Sequence, residues 1–75
     1  MRRTRKGVLT FIIDAGGSAS LADMHDHSEQ RYFVGHKKFS DLMEAMIADA
    51  HIDYDGSVGE AAITEAGRSW VEEQA

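Results

Sequence analysis

The sequence has no cysteine, and its aromatic residues are limited to one Trp, two Tyr and three Phe among 75 residues. The absence of cysteine excludes disulfide bonds, thiolate metal sites and cysteine nucleophiles, which fits a reducing compartment such as the cytoplasm. A hydrophobic fraction of 43% with so few aromatic residues predicts a thin core. Because self-association would supplement such a core, we expect a single domain, residues 1–75, that forms a homodimer.

Long hydrophobic runs and catalytic motifs are also missing. No apolar stretch approaches the roughly 20 residues that a membrane-spanning helix requires, and Val8–Ile13 is too short for the core of a signal peptide. There is no Gly-rich phosphate loop and no Gly-x-Ser-x-Gly turn. We therefore expect a cytoplasmic protein that has no membrane partner, is not an enzyme and carries no cofactor.

Four histidines raise the question of a metal site. His25 and His27 flank Asp26, but residues i and i+2 of a helix point about 200° apart, so both imidazoles cannot easily bind one ion there. In a loop they could. Because metal sites place their ligands on one side of an element, we favour a surface cluster without a metal over a metal sensor.

Charge is distributed unevenly along the chain. The net charge of −5 by itself argues against a polyanionic partner. Residues 1–38 nevertheless carry seven of the eight Lys and Arg residues and a net charge of +3, whereas residues 39–75 carry a net charge of −8. Acidic residues that keep a small domain in solution explain the second half better than the first.

The clearest periodicity lies in Lys38–Ala50. Its apolar residues recur at i, i+3, i+4, i+7 and i+8, the pattern of a helix with one buried face. These residues are Phe39, Leu42, Met43, Met46 and Ile47. No glycine or proline interrupts the segment, and most of its residues favour helix. We predict a long helix here, the third of the chain.

Two helices are predicted before it. A basic arm, residues 1–6, leads into a helix over Gly7–Ala15, for which the β-rich residues VLTFII leave a strand as the alternative. Gly16-Gly17 would end that helix. The second helix runs from Leu21 to about Ser28.

The ends of the second helix are less sharply defined by the sequence. Ser18 or Ser20 can serve as its N-cap, with Asp23 in its first turn. The apolar stretch Arg31–Gly35, between the second and third helices, is either an extended connector or a short strand.

A hairpin and a final helix are predicted after the third helix. His51–Tyr54 alternates with the period of a half-buried strand, Asp55-Gly56 is a turn dipeptide, Ser57–Glu60 forms the tip, and Ala61–Ile63 returns. Thr64 then caps a helix that continues to about Glu73. Its large aromatic residue, Trp70, is expected in the core and is also a candidate dimer contact.

Three stretches carry a family resemblance: the third-helix run FSDLMEAMIADA, the strand and turn IDYDG, and AITEAGR at 62–68. The last is similar to the Leu-Thr-Glu-x-Gly-Arg junction that ends the wing in winged helix-turn-helix regulators of the MarR and PadR families. The chain resembles those families from Leu9 to Trp70. This resemblance implies an α+β fold of three helices, a β-hairpin wing and a C-terminal helix, in a transcriptional regulator that binds double-stranded DNA.

The resemblance also implies particular contacts, since in those families the third helix lies in the major groove and the wing contacts the backbone or minor groove. The expected DNA-binding residues are Arg2, Arg3, Arg5, Lys6, Arg31, His36, Lys37, Lys38, Ser40 and Asp41. The expected wing residues are Asp55, Gly56 and Ser57.

Three features of the sequence depart from the pattern of these families. The wing, Asp55–Glu60, has no Lys or Arg. The interval from Leu21 to Phe39 is longer than usual, which predicts a remodelled turn between the second and third helices. Ala50-His51 stands where glycine is common, so the third helix is expected to end without the usual left-handed cap.

Physical chemistry alone also directs attention to His36, Lys37 and Lys38. Cations at the start of a helix oppose its dipole, but they fit a site where an anion binds free backbone N–H groups. The alternative is that they are ordinary solvated charges with snorkelling stems.

Our leading hypothesis is therefore a winged-helix DNA-binding regulator. The alternative is a winged-helix module for protein–protein contact, or an acidic partner-binding protein of viral or mobile-element type. Convergence of the positive charges on one face would favour the first, and their dispersal the second.

Overall fold

The structure is a computed structural model that describes residues 2–74. Its elements in chain order are α1 (Arg2–Asp14), β1 (Ser18–Ser20), α2 (Leu21–Tyr32), α3 (His36–Ala48), β2 (Ile52–Asp55), β3 (Glu60–Ile63) and α4 (Glu65–Glu73). Met1 and Ala75, the two ends of the predicted domain, lie outside the described residues. The predicted α+β class and the order of three helices, a hairpin and a last helix are confirmed. Within residues 2–74, no helix combines the length and the apolar character needed to cross a membrane.

The sheet contains one strand more than the predicted hairpin. Its order is β1-β3-β2, with β3 antiparallel to both neighbours. Strand β1 has only three residues and two of them are serines, so the sequence lacks the apolar alternation that announces a strand. Of the two serines proposed as caps, Ser20 caps α2, because its side chain accepts a hydrogen bond from the Asp23 amide at 3.1 Å.

The core forms where α1 and α3 meet α2 and the sheet. It contains Val8, Leu9 and Ile12 from α1, Met24 from α2, and Phe39, Leu42, Met43 and Met46 from α3, joined by Val34, Ile52 and Ala61. The predicted buried stripe of α3 is therefore correct except at its last member. Ile47 is 43% exposed, because it lies on the flank of α3 that faces the hairpin rather than α1.

The prediction of a separate basic arm is wrong for the described residues, because Arg2–Lys6 forms the first turns of α1. Arg and Lys favour helix, and α1 continues through Gly7, the nearest residue that weakens a helix. A Cβ at Gly7 would collide with the ring of Tyr32. Glycine therefore lets α1 and α2 approach each other closely.

The second helix continues one turn beyond its predicted end. Ser28 is fully buried and Tyr32 is half-buried against the core, so the polar sequence still presents a packing face. Arg31 consequently belongs to the helix, and neither alternative for Arg31–Gly35 is correct as a whole. The extra residues in the interval from Leu21 to Phe39 lie in α2, and the turn itself is only Phe33, Val34 and Gly35.

The C-terminus of α3 corrects a further expectation. Ala50 adopts a left-handed conformation with φ 58°, and it does so without glycine. Its N–H donates to the Ile47 carbonyl at 3.0 Å, and the N–H of His51 donates to the Met46 carbonyl at 2.9 Å. This is the hydrogen-bond pattern of a Schellman cap, formed at the expense of backbone strain.

Thr64 connects this cap to α4, as its predicted capping role requires. Its hydroxyl accepts from the Gly67 amide at 3.0 Å and donates to the Ala50 carbonyl at 2.6 Å. A Cβ at Gly67 would collide with the carbonyl of His51. The Thr and Gly of the AITEAGR stretch are therefore explained by the close packing of α4 against the end of α3.

Candidate nucleic-acid interface

The N-terminus of α3 has no side-chain cap. Gly35 occupies the N-cap position, and no acidic residue lies in the first turn. The backbone N–H groups of Gly35 and of the first three helical residues have no partner within the helix. His36, Lys37 and Lys38 are exposed in the first turn, so two lysine side chains lie at the positive end of the helix dipole.

The two lysines have only one weak ion pair between them. Lys37 Nζ lies 4.0 Å from Asp41 Oδ2, and both side chains are exposed, so solvent screens the pair. Lys38 instead lines a surface hollow of about 450 Å³ with Thr4, Tyr32 and Asp41. Both ammonium groups are therefore accessible to an anion.

A second hollow, of about 360 Å³, adjoins the first between α1 and α2. Arg3, Lys6 and Arg31 line it, and Tyr32 lines both hollows. Arg3 and Arg31 have no ion-pair partner among residues 2–74. We call the surface formed by Arg3, Lys6, Arg31 and Lys38 the basic side of α3.

Arg5 does not lie on this surface. Its guanidinium pairs with Asp49 at 2.6 Å, lies 3.3 Å from His51 Nδ1 and is 5.6 Å from the centre of the Trp70 ring. The hydrogen bond from Arg5 lowers the pKa of Asp49. The Lys6 ammonium is also engaged in the fold, since it donates to the Gln74 carbonyl at 3.3 Å. Arg2 is exposed at the start of α1.

The opposite flank of α3 has a different character. His36, Ser40 and Glu44 line a hollow of about 460 Å³ with Ile47 and Tyr54. The predicted DNA-binding residues of α3 are therefore divided, because Ser40 lines the hollow beside the hairpin whereas Asp41 lines the hollow on the basic side. Five of the nine residues that line the α1–α2 hollow, by contrast, are charged or histidine, and four of these five are Arg, Lys or His.

Comparison with known proteins supports the fold alone. No family model matches the chain, and no curated protein matches it. A solved structure described as "F93 from STIV, a winged-helix DNA-binding protein" superimposes with a TM-score of 0.80 over 99% of this chain and 85% of that chain. The chain has a winged-helix fold. Because the two chains are 17% identical, the likeness shows the fold alone.

The wing of this winged-helix fold is the β2–β3 hairpin. Asp55 accepts hydrogen bonds from the amide of Ser57 at 2.9 Å and from its hydroxyl at 2.6 Å, and these bonds lower the pKa of Asp55. Gly56 completes the turn, and Val58 is 64% exposed at the tip. The carboxylate is already engaged, and residues 55–60 include no Lys or Arg. Contact of the wing with DNA remains a prediction.

Trp70 packs within the winged-helix domain. Its ring lies 5.4 Å from that of His51 and beneath Arg5, so it is half-buried in the monomer. The predicted core role is confirmed by this packing. Its role as a dimer contact remains a prediction.

The histidines of α2 diverge, as expected for residues two apart on a helix. His25 stacks on His36 with ring centroids 4.3 Å apart, whereas His27 stacks on Phe11 at 4.5 Å. Burial, and then the charge of Arg31, lowers the pKa of His27. No three His, Cys, Asp or Glu residues within 2–74 are grouped to hold a metal ion.

Sequence reasoning missed two aromatic residues of this region. Tyr32 separates the two hollows, and Phe33 is 89% exposed in the turn before α3. Both were assigned to an apolar connector. A sequence does not distinguish an exposed Phe from a buried one. The positions of Tyr32 and Phe33 follow only from the observation that α2 continues to Tyr32.

Proposed function

We propose that this protein binds double-stranded DNA and acts as a transcriptional regulator of the MarR or PadR style. The observation that carries the proposal is the uncapped N-terminus of α3, with exposed Lys37 and Lys38 at its first turn and the basic side next to it. Free N–H groups, a positive dipole end and exposed lysines form a site for phosphate. The printed description of F93 as DNA-binding supports the same class.

In the proposed complex, the first turns of α3 enter the major groove. Lys37, Lys38 and Arg31 neutralise phosphates, with Arg3 and Arg2 extending the contact along α1. His36, Ser40 and Asp41 read base edges. We assign Arg5 and Lys6 to the fold of the free protein, because their charged groups already have partners there. A homodimer would place two such helices on successive turns of the duplex.

Binding of a random-sequence fluorescent duplex, followed by a salt titration, tests the proposal. We expect the logarithm of the affinity to fall linearly and steeply with the logarithm of the salt concentration, because each neutralised phosphate releases counterions. Lys37→Ala with Lys38→Ala should flatten the slope by about 2. The control is Arg68→Ala, which removes an exposed cation from α4. It should leave the salt slope unchanged, because Arg68 lies outside the proposed interface.

A second candidate is a protein–protein interaction module. The observation that favours it is the acidic wing, in which Asp53, Asp55 and Glu60 are exposed and no Lys or Arg is present. If the wild-type protein fails to bind duplex DNA near 50 mM salt, where non-specific contacts are strong, the protein-partner function replaces the first. Capture of a partner by the wild type, and its loss when Asp53 and Glu60 are changed to Asn and Gln, would support it.

A further inference from the structure

Phe33 combines two features that are each unfavourable for the free protein. Its ring is 89% exposed, and its backbone is left-handed, with φ 57° and ψ 38°. Its N–H donates to the Glu29 carbonyl at 3.0 Å, so it occupies the position after α2 where glycine or asparagine is preferred. A residue with a Cβ is strained there, and an exposed ring gains little burial in return.

The aromatic residues of the domain differ sharply in this respect. Phe39 is buried, Phe11 and Trp70 are half-buried, and Tyr54, the next most exposed, has 38% of its surface accessible. Fold stability therefore does not explain a Phe at position 33. Strain and exposure that coincide at one residue are a reason to look for a binding role.

Cations lie near Phe33, one in the hollow that it lines and two in the adjacent chain. It lines the same hollow as Lys38, with Asp41 as the one acid there. Arg31 precedes it by two residues and is exposed, and Lys37 lies in the first turn of α3. A protein pocket could accept a lone Phe, but an aromatic ring among cations matches a partner with both negative groups and flat apolar surfaces. DNA has both, in its phosphates and in its sugars and bases.

We propose that Phe33 is a DNA-contact residue, whose ring packs against sugar and base edges of the duplex while Lys37 and Lys38 bind the flanking phosphates. This inference rests on the proposed function. It assigns the turn between α2 and α3 an apolar contact, such as the one that Phe makes with the thymine methyl group. The left-handed backbone fixes the direction of the Cα–Cβ bond before DNA is bound, so backbone freedom at this residue is not lost on binding.

The test is a variant that should change folding and binding in opposite directions. Phe33→Gly relieves the left-handed strain, so its thermal midpoint should equal or exceed that of the wild type by a few degrees. Its affinity for duplex DNA should fall by about tenfold, in line with the loss of one apolar base contact. The salt slope should be unchanged, because no charge is removed.

The matched control is Ala50→Gly, at the other left-handed residue that flanks α3. It relieves the same kind of strain without removing an aromatic ring, so the midpoint should rise and the DNA affinity should stay the same. Phe33→Tyr, which keeps the ring and the strain, should retain affinity within about threefold, since the apolar face is preserved.

Each other outcome overturns the inference in a distinguishable way. Absence of binding by the wild type removes the proposed function itself. If the wild type binds with a steep salt slope and Phe33→Gly binds equally well, the proposed function stands and only the role of Phe33 is excluded. A midpoint that falls strongly in Phe33→Gly would show a structural role. A change of oligomeric state in sedimentation, with unchanged DNA affinity, would assign the ring to a protein contact.

Discussion

The two ends of α3 are built in opposite ways. At the C-terminus, Ala50 and His51 return their N–H groups to the last turn, Thr64 donates to the Ala50 carbonyl, and Arg5 pairs with Asp49. At the N-terminus, Gly35 provides no side-chain cap and two exposed lysines follow it. A left-handed residue that is not glycine lies near each end, Phe33 before α3 and Ala50 after it, and each donates its N–H to the helix that precedes it.

This difference separates stability from recognition within one helix. At the closed end, the backbone groups find partners in the protein, so strain at Ala50 is compensated by hydrogen bonds. At the open end, N–H groups and cations are left with water, and the positive charges oppose the dipole. Changes at the closed end should therefore alter folding, and changes at the open end should alter binding.

The largest effect is expected at the closed end, from Gly67→Ala. The new Cβ would collide with the His51 carbonyl, and backbone cannot move aside as a flexible side chain can. We expect a loss of about 2 kcal/mol in the free energy of unfolding, measured by urea denaturation. Gly56→Ala is the control, because its Cβ would meet only the Tyr54 ring at 3.6 Å. Equal stability of the two variants would contradict the tight junction.

The next effect is expected at the open end, from Gly35→Asp. The backbone of Gly35 is extended and its Cβ direction is empty, so a carboxylate can cap the free N–H groups. The free energy of unfolding should rise by about 0.5 kcal/mol. DNA affinity should fall by about tenfold, because the carboxylate occupies the proposed phosphate site. Gly35→Ser separates capping from charge and should lose less affinity; unchanged binding by Gly35→Asp would place DNA elsewhere.

At the closed end, a gain in stability that is smaller in size than the loss from Gly67→Ala is expected for Ala50→Gly. Glycine adopts φ 58° without a Cβ clash, although it also gives the unfolded chain more freedom. The net gain in the free energy of unfolding should be about 1 kcal/mol. Thermal or chemical denaturation measures it directly. A loss of stability would mean that the Ala50 methyl group makes a contact worth more than the strain.

The smallest effect concerns pH and His27, on the basic side. Its pKa is lowered in the folded protein by burial and then by Arg31, with Arg3, Lys6 and Asp14 facing the same hollow. The unfolded chain therefore binds the proton more readily. Stability from this group is present above the unfolded pKa, near 6.5, and declines as the pH falls through it toward the folded pKa. His27→Phe should weaken that decline between pH 7.5 and 5.5, and an identical profile would exclude the contribution.

Sequence patterns predicted the elements that depend on local residues. The stripe of α3 and the cap at Thr64 are readable because their period and residue type follow from helix geometry. The helical start at Arg2, the strand at Ser18 and the left-handed Ala50 depend instead on contacts made across the chain. None of those contacts is visible in the neighbouring residues, and tertiary packing overrides weak local preference.

The candidate site was predicted only in part for the same reason. Runs of cations such as Lys37-Lys38 stand out in the sequence. The sequence does not show which cations are free, because Arg5 pairs with Asp49 and Lys6 bonds to the Gln74 carbonyl only in the folded chain. Phe33 was equally hidden, since its exposure follows from the length of α2.

The pairing of β1 with β3 has a consequence for the order of folding. Strand β3 meets β2 through a short turn, but Ser18 pairs with Ala62 across an interval of chain that contains α2, α3 and the wing. Closing so long a loop for three residues of ladder is entropically costly and gains little until its neighbours are in place. The hairpin is therefore an early event and the β1 strand a late one. On transient opening, the amide of Ile63, which bonds to the Gly17 carbonyl, should exchange with solvent before the amides between β2 and β3.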